Sequence, residues 1–234
     1  MQIKNKIKNI FSPKKHCPIC KKNSLEFKPY GNPPRKNALC PHCNSAERHR
    51  MVYYFLKKSD IFNKKIKLLH FAPENIFYEI FSNCKNIDYY PVDISKSRKI
   101  KEKVDIQNIP YEDDYFDVIY NSHVLEHVPD DIKAMSELYR VVKPKYNNGI
   151  VITLVPISCN IDETLEKEEY NTPKLRLKYY GQADHLRRYG ADFTDKLKSV
   201  GFNIDVIKNY DLFKKKEIDK YCINKGNIIF LSYK

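Results

Sequence analysis

Glycine is scarce: the chain has 6 in 234 residues, and none lies between Gly31 and Gly149. The first strand after residue 60 is therefore not followed by a glycine-rich ligand loop. No stretch of 18 apolar residues occurs, so no membrane span is expected. The amino-terminal MQIKNKIKNIFSPKK is basic and mildly amphipathic. It lacks the apolar core and cleavage site of a secretory signal and reads as a short helix or a loose arm. Of the 7 cysteines only Cys84, Cys159 and Cys222 are scattered, too few for a disulfide framework. That pattern suits a reducing cytoplasm and a bound metal. Acid is the minority sign: 29 Asp and Glu stand against 42 Lys and Arg, for a net charge of +13. Such a balance suits RNA, phosphorylated sugars, nucleotides or anionic membranes, and equally a diffuse lysine surface that only raises solubility. The length fits one α/β domain with a small appendage.

The grouped cysteines read Cys17-Pro18-Ile19-Cys20 and Cys40-Pro41-His42-Cys43, a C-x2-C-x19-C-x2-C array. Each pair can form a knuckle whose two thiolates cover one side of a tetrahedral Zn2+. Tyr30-Gly31 and Pro33-Pro34 suit the turn of a ribbon hairpin between them. So small a segment has no core of its own, and the metal is expected to supply its folding energy. Four thiolates leave no open position, which makes the Zn2+ structural and gives His16 and His42 no ligand role. Free or disulfide-linked cysteines are the alternative. Ser45 to Lys58 reads as a linking helix, with Ser45 placed to cap it and Val52, Phe55 and Leu56 on its buried face. Arg48-His49-Arg50 forms either an anion-binding group or a solvated, ion-paired face. The expected boundaries are 1–44 for arm and zinc ribbon, 45–60 for the linking helix and 61–234 for the larger domain.

Beyond residue 60, apolar and β-branched runs alternate with segments of helical period. Lys67 to Phe71, Ile87 to Val92, Phe116 to Tyr120, Gly149 to Val155, Phe202 to Ile207 and Asn227 to Tyr233 read as strands. Asn75 to Phe81, a segment capped by Asp130 and Asp131, and Asp192 to Ser199 read as helices. In the middle one, Ile132, Met135, Leu138, Tyr139 and Val142 fall on one face. This alternation predicts an α/β fold with a doubly wound, mostly parallel sheet. Polar residues follow the strand ends, where open α/β sheets hold their ligands. Asp93 ends the second strand about 20 residues after the first loop, a place suited to accepting both hydroxyls of a ribose. Lys96, Arg98, Lys99, Lys101 and Lys103 read as surface. Pro156 to Leu177 is a polar, acidic insertion, either a lid or a surface loop, and Lys214 to Lys220 is a charged connection.

Three segments stand in a fixed order: Phe116-Asp117-Val118-Ile119, Leu125-Glu126-His127-Val128 and Glu137-Leu138-Tyr139-Arg140-Val141-Val142-Lys143-Pro144. Together they resemble the second half of the cofactor site in class I S-adenosylmethionine-dependent methyltransferases, particularly the small-molecule branch. The resemblance implies a Rossmann-like, seven-stranded doubly wound sheet with an antiparallel last strand. It implies S-adenosylmethionine as methyl donor, with Asp93 and Ile94 at the ribose, Asp105 at the adenine amine, Ile106 against the ring and Ser122 also at the cofactor. The first loop departs from the pattern. Leu68-Leu69-His70-Phe71-Ala72-Pro73-Glu74 has no glycine, and His70 stands where the family has an acid. HFAPE, with an amino-terminal cysteine motif ending in RHR, resembles a bacterial subgroup of methyltransferase-domain proteins. There Ala72 and Pro73 replace the loop and Glu74 faces the cofactor's amino group; Glu74 is equally suited to the first turn of a helix.

His123, Glu126 and His127 lie at i, i+3 and i+4. His123 is read as a general base for the methyl acceptor. The three could instead bind a divalent metal, as a similar segment does in some related quinone O-methyltransferases, or Glu126 and His127 could be structural. Tyr180 to Gly190, YGQADHLRRYG, again resembles the subgroup and implies a segment feeding the active site. In it His185, oriented by Asp184, is a base or substrate ligand, while Arg187 and Tyr189 bind substrate; a capped loop is the ordinary alternative. The implied activity is methyl transfer to an O or N nucleophile of a small polar acceptor, a sugar or glycan precursor in view of the subgroup's company with glycosyltransferases. Two other readings stay open. One is an RNA methyltransferase whose ribbon and basic surface grip phosphates, although Asn121-Ser122-His123-Val124 stands where a base-methylating Asn/Asp-Pro-Pro-aromatic motif would be. The other is a non-enzymatic zinc-ribbon module on a methyltransferase fold that has lost its glycine loop.

Overall fold

The computed structural model describes residues 15–95, 99–158 and 160–234. The amino-terminal arm, Lys96, Arg98 and Cys159 lie outside them. In chain order the elements are β1 (Lys15–His16), β2 (Asn23–Ser24), β3 (Lys28–Tyr30), β4 (Arg35–Leu39), α1 (Glu47–Lys58), β5 (Ile66–Phe71), α2 (Asn75–Ser82), β6 (Ile87–Asp93) and β7 (Glu102–Lys103). There follow β8 (Val118–Ser122), α3 (Asp131–Val141), β9 (Ile150–Leu154), α4 (Pro173–Tyr180), α5 (Phe193–Ser199), β10 (Asn203–Lys208), α6 (Asn209–Leu212), α7 (Lys215–Lys220) and β11 (Ile228–Tyr233). Lys214 to Lys220, expected as a charged connection, thus carries helix α7. The chain divides into two compact units, Met1–Phe62 with Ile207–Asn227, and Asn63–Val206 with Ile228–Lys234. The sequence places 207–227 in the larger domain; by its contacts it groups with the cysteines.

In the cysteine unit the two knuckles are built alike. Cys17 and Cys40 each accept from the residue four positions on, Lys21 N at 2.8 Å and Asn44 N at 3.0 Å. Lys21 and Asn44 both take left-handed backbone, φ 59° and 54°, which turns the chain back toward the thiols. Gly31, at φ 100°, makes the turn between the antiparallel β3 and β4. Ser45 does not cap α1. The helix starts from Ala46, whose N–H donates to His49 Nδ1 at 3.1 Å, and Ser45 Oγ instead sits 3.3 Å from Cys17 Sγ and 3.2 Å from Cys43 Sγ. Arg50 is neither solvated nor open to an external anion. It is fully buried and donates to the carbonyls of Ser45 at 2.6 Å, Ala38 at 3.1 Å, Tyr221 at 2.7 Å and Cys222 at 2.6 Å. A planar guanidinium with five donors can gather carbonyls from several segments in this way, and that need outweighed the solvation the sequence suggested.

The larger unit is a sheet of seven strands in the order β10-β11-β9-β8-β5-β6-β7. From β9 to β7 neighbours are parallel, and β11 runs antiparallel to β9. β5 has β6 on one side and β8 on the other, so the winding reverses there. Ligands bind outside the carboxyl ends of strands at such a reversal. β8 is buried throughout and β9 nearly so, as expected of apolar strands covered on both faces. Helix α3 buries Ala134, Met135, Leu138 and Val141, with Val142 just beyond it, but Ile132 is exposed. The first core position of the stripe is taken by Asp131, buried because Tyr189 Oη donates to it at 3.0 Å and Lys196 Nζ at 3.1 Å. Asp130 alone caps the helix, accepting from Lys133 N at 2.8 Å.

The turn around Pro110 is fastened to α3 through Arg140, which pairs with Glu137 on the helix and with Asp113 in the turn. Arg140 donates to Glu137 Oε1 at 2.7 Å and to the carbonyls of Ile109 and Tyr111, both at 2.8 Å, while Glu137 Oε2 accepts from Ile109 N at 2.8 Å. The Arg140 hydrogen bond holds the Glu137 carboxyl below the usual range. Arg140→Ala should cost about 1.5–3 kcal/mol in denaturant unfolding, the range for hydrogen bonds to a charged group. Because native Glu137 binds its proton less readily than in the unfolded chain, its contribution is complete above the unfolded value of about 4.3 and is lost as pH falls through the lower native one. Glu137→Gln should flatten the acid limb of the stability curve; an unchanged limb would show that the pair carries no such load.

Candidate active site

The turn after β5 does without glycine. Ala72 adopts φ 47°, the left-handed backbone that glycine would supply, and its N–H donates to Val92 O at 2.9 Å. Pro73 and Glu74 then lead into α2. His70 is fully buried, with Nδ1 2.8 Å from Tyr89 Oη and Nε2 3.2 Å from Glu74 Oε2. Tyr120 Oη donates to the other Glu74 oxygen at 3.5 Å. The acid missing from the strand end is thereby supplied four residues later, folded back onto the histidine.

At the carboxyl ends of β5, β6 and β8 lies a cavity of about 330 Å3. Ala72 enters its wall from the first turn, Asp93 and Ile94 from the end of β6, Asp105 and Ile106 from the segment after β7, and His123 and His127 from beyond β8. Asp93 Oδ1 accepts from Ser95 N at 2.8 Å, which fixes the carboxylate. Ile94 keeps an exposed apolar side chain. Asp105 Oδ1 accepts from Gln107 N at 2.9 Å; Gln107 Nε2 donates to the same carboxylate at 3.1 Å, and its Oε1 accepts from Asp130 N at 3.0 Å. Of the residues expected at the cofactor, Pro73, Glu74 and Ser122 are not in the wall. Glu74 is drawn to His70, and Ser122 is buried in β8. Gln107, Val124, Val128 and Pro129 line the cavity and were not foreseen. A polar residue placed directly after the Asp105-Ile106 tip was the one cue available for Gln107.

His123 is in left-handed backbone, φ 56°, with its N–H on Leu154 O at 2.8 Å. Its Nδ1 lies 3.0 Å from Glu126 Oε1, and Glu126 is fully buried in the 3-10 turn Leu125–His127. Asp184 does not meet His185: its carboxylate is 3.4 Å from His127 Nδ1. His185 is buried, edge-on to the His127 ring at 4.8 Å between centroids, with Nε2 2.5 Å from the Gln182 amide. Burial pushes its imidazole below the usual histidine range. Arg187 and Tyr189, expected to bind substrate, are both interior. Arg187 donates to the carbonyls of Leu125, Val128 and Pro129 and to both Glu166 oxygens, and Tyr189 donates to Asp131. Their polar groups are consumed within the fold.

In the cysteine unit, Cys17, Cys20, Cys40 and Cys43 converge, one sulfur of each within 4.8 Å of the others. Cys17 Sγ is 3.6 Å from Cys43 Sγ and Cys20 Sγ is 3.8 Å from Cys40 Sγ. Bonds of about 2.3 Å to a tetrahedral ion put thiolates roughly 3.8 Å apart, so the four fit a zinc site. His16 and His42 bond elsewhere, to Asn23 Oδ1 at 2.8 Å and Ser24 Oγ at 2.9 Å.

Comparison with known proteins agrees with this geometry. Residues 73–152 match the family model described as Methyltransferase domain. Over 68 residues the chain is 38% identical to Sterol 4-C-methyltransferase strm-1 of Caenorhabditis elegans, a match covering 29% of this chain and 20% of that protein. The chain spans less than half the length of the curated relatives it matches. Among solved structures, the 4+2 cyclase SpnF superposes with a TM-score of 0.56 at 16% identity, over 81% of this chain and 83% of that one. A protein of Galdieria sulphuraria, provisionally named a sarcosine dimethylglycine methyltransferase, superposes with a TM-score of 0.51 at 11% identity, over 79% and 84%. At such identities the likeness concerns the fold, and one fold hosts several chemistries. The seven-stranded, Rossmann-like fold is the one shared with these solved structures. No helix among the described residues is long and apolar enough to cross a membrane.

The left-handed turn makes Ala72 a sensitive position. Ala72→Gly should be neutral or stabilising by up to about 1 kcal/mol, whereas Ala72→Val should cost roughly 1–3 kcal/mol, since a β-branched residue resists φ above zero. Thermal and urea unfolding of the two variants would check this, and equal stability of both would refute the strained turn.

Proposed function

We propose that the chain is an S-adenosylmethionine-dependent methyltransferase acting on an O or N nucleophile of a small polar acceptor, a sugar or glycan precursor. The observation that carries this reading is the cavity at the winding reversal. Two strand-end carboxylates and an apolar lining converge there, and its 330 Å3 lies within the range of small-molecule sites. Asp93 accepts from the ribose hydroxyls and Asp105 from the adenine amine, Ile106 covers the ring, and Ile94 also adjoins the cofactor. When bound, the cofactor supplies a methyl group on an electrophilic sulfonium. The protein's task is then to hold the acceptor in line and to take its proton. His123 is the base: it stands in the cavity wall, and the Glu126 carboxylate beside Nδ1 orients the ring and offsets its charge once protonated. The four cysteines hold a structural Zn2+, and the protein is cytoplasmic.

Calorimetric titration with S-adenosylmethionine and S-adenosylhomocysteine tests the reading directly. Both should bind, and Asp93→Ala should weaken them at least tenfold. Absence of binding in folded protein would leave the non-enzymatic module. Once an acceptor is found, His123→Asn should lower kcat by about 10²–10⁴ while cofactor affinity stays nearly constant. Cys40→Ser should release one equivalent of zinc to a chromogenic chelator and unfold the cysteine unit; retained metal and structure would refute the zinc assignment.

A basic cavity of about 460 Å3 in the cysteine unit, with Lys36, Lys215 and Lys225 in its wall, favours a second reading, an RNA acceptor gripped by its phosphates. RNA binding that falls steeply with salt would support it, and indifference to RNA would remove it.

A further inference from the structure

Beside the cavity, three side chains bring metal-ligating atoms together. One ligand atom each of Glu126, His127 and His185 lies within 4.8 Å of the others. Each side chain also spends its other heteroatom on a neighbour. Glu126 Oε1 meets His123 Nδ1 at 3.0 Å, His127 Nδ1 meets Asp184 at 3.4 Å, and His185 Nε2 meets the Gln182 amide at 2.5 Å. The atoms left over are Glu126 Oε2, His127 Nε2 and His185 Nδ1. Two of these, Glu126 Oε2 and His185 Nδ1, are buried without a hydrogen-bond partner, on residues that are 0% and 3% exposed. With the Gln182 amide turned so that its oxygen accepts from His185 Nε2–H, Nδ1 offers a lone pair as Glu126 Oε2 does; a buried acceptor without a donor costs roughly 1–3 kcal/mol, more when charged, and two side by side call for an occupant. The segments are also tied to each other by backbone: Leu186 N donates to Glu126 O at 2.8 Å, and the Arg187 guanidinium closes on the carbonyls of Leu125 and Pro129, each at 2.9 Å.

We propose that Glu126, His127 and His185 hold a divalent transition-metal ion, with positions left open toward the cavity that His127 lines. Two imidazoles and one carboxylate favour Zn2+, Fe2+, Co2+ or Mn2+ over Mg2+ or Ca2+. Three protein ligands, not four, are the mark of a site that takes an exogenous oxygen ligand. The partners on the second heteroatoms have the form of outer ligands: a carboxylate on His127, an amide on His185 and an imidazole on Glu126. Metal bonds of about 2.0–2.2 Å would draw the three atoms closer than they stand without an ion. The site is not the His123, Glu126, His127 set that the local spacing offers. His123 serves as an outer partner, and the third ligand comes from a segment 58 residues beyond His127. That the open positions receive a hydroxyl of the methyl acceptor rests on the methyl-transfer reading. Metal binding itself does not.

The test is Co2+ titration of the zinc-loaded full-length protein, followed by absorption and calorimetry. One further equivalent should bind and give weak visible bands without the near-ultraviolet thiolate bands of a cysteine site. His127→Ala and His185→Ala should each weaken that binding at least tenfold. His127 is half-exposed, so its variant keeps the measurement decisive should the buried His185 variant misfold. Circular dichroism and retention of the cysteine-bound zinc confirm the fold. No additional equivalent, an additional equivalent with thiolate bands only, or unchanged affinity in folded His127→Ala would each overturn the proposal. Cofactor titration of the wild-type zinc-loaded protein with and without the further Co2+ equivalent separates the two readings, since S-adenosylmethionine should bind in either case.

Discussion

The larger unit depends on one buried cation. Arg187, 1% exposed, takes both oxygens of Glu166 and three carbonyls from 125–129. A guanidinium removed from water costs several kcal/mol unless every donor is met, and here the backbone that meets them is the loop carrying His127, Val128 and Pro129 into the cavity wall. The requirement runs both ways. The carbonyls of Val128 and Pro129 need donors because they lie beyond the 3-10 turn, and the charge needs acceptors. Fixing one fixes the other, and with it the spacing between Glu126, His127 and His185. Asp131 lies against the same cation, 3.7 Å from Arg187 Nε, and accepts from Tyr189 Oη.

On the other side of the cavity the constraint is conformational. The chain must turn sharply after β5 so that the backbone passes close to a ligand, and it does so through an alanine. The strain is small enough for the surrounding contacts to hold: the Ala72 N–H on Val92 O from one side, and the His70, Glu74 and Tyr89 cluster from beneath. Burying His70 with a carboxylate and a phenol replaces the exposed acid of the usual strand end with an internal pair. The turn therefore owes its shape to the packing beneath it and not to the freedom of glycine.

The architecture was legible because it is written in periodicity. Apolar strands with acids at their ends and the order from Phe116 to Pro144 lead to a winding reversal and a cavity without further information. Ile132 shows where periodicity stops. It fits the stripe of Met135 and Leu138, yet the first core position belongs to Asp131, because partners 58 and 65 residues away, Tyr189 and Lys196, make burial of an acid tolerable. Arg50, Arg187 and Tyr189 fail for the same reason. A polar side chain in sequence looks the same whether it faces solvent, a ligand or distant carbonyls, and only the tertiary contacts decide. Four cysteines could be paired from spacing because each knuckle is local. His185 could not be joined to Glu126 and His127, because the tie between them is a backbone hydrogen bond and an arginine clasp.

The cysteine unit is assembled from two stretches of chain far apart in sequence. Arg50 is buried by carbonyls of Tyr221 and Cys222, 171 and 172 residues further on. On the ribosome the knuckles and α1 emerge before the other unit, and the segment that completes their shelter arrives only after most of that unit has been made. Until then the arginine has its local carbonyls, Ser45 and Ala38, but not the two at 221 and 222. On the zinc reading, an ion captured by the two knuckles would hold this segment together during that interval, and metal supply would then bear on how the chain fares during synthesis as well as on how stable it is afterwards.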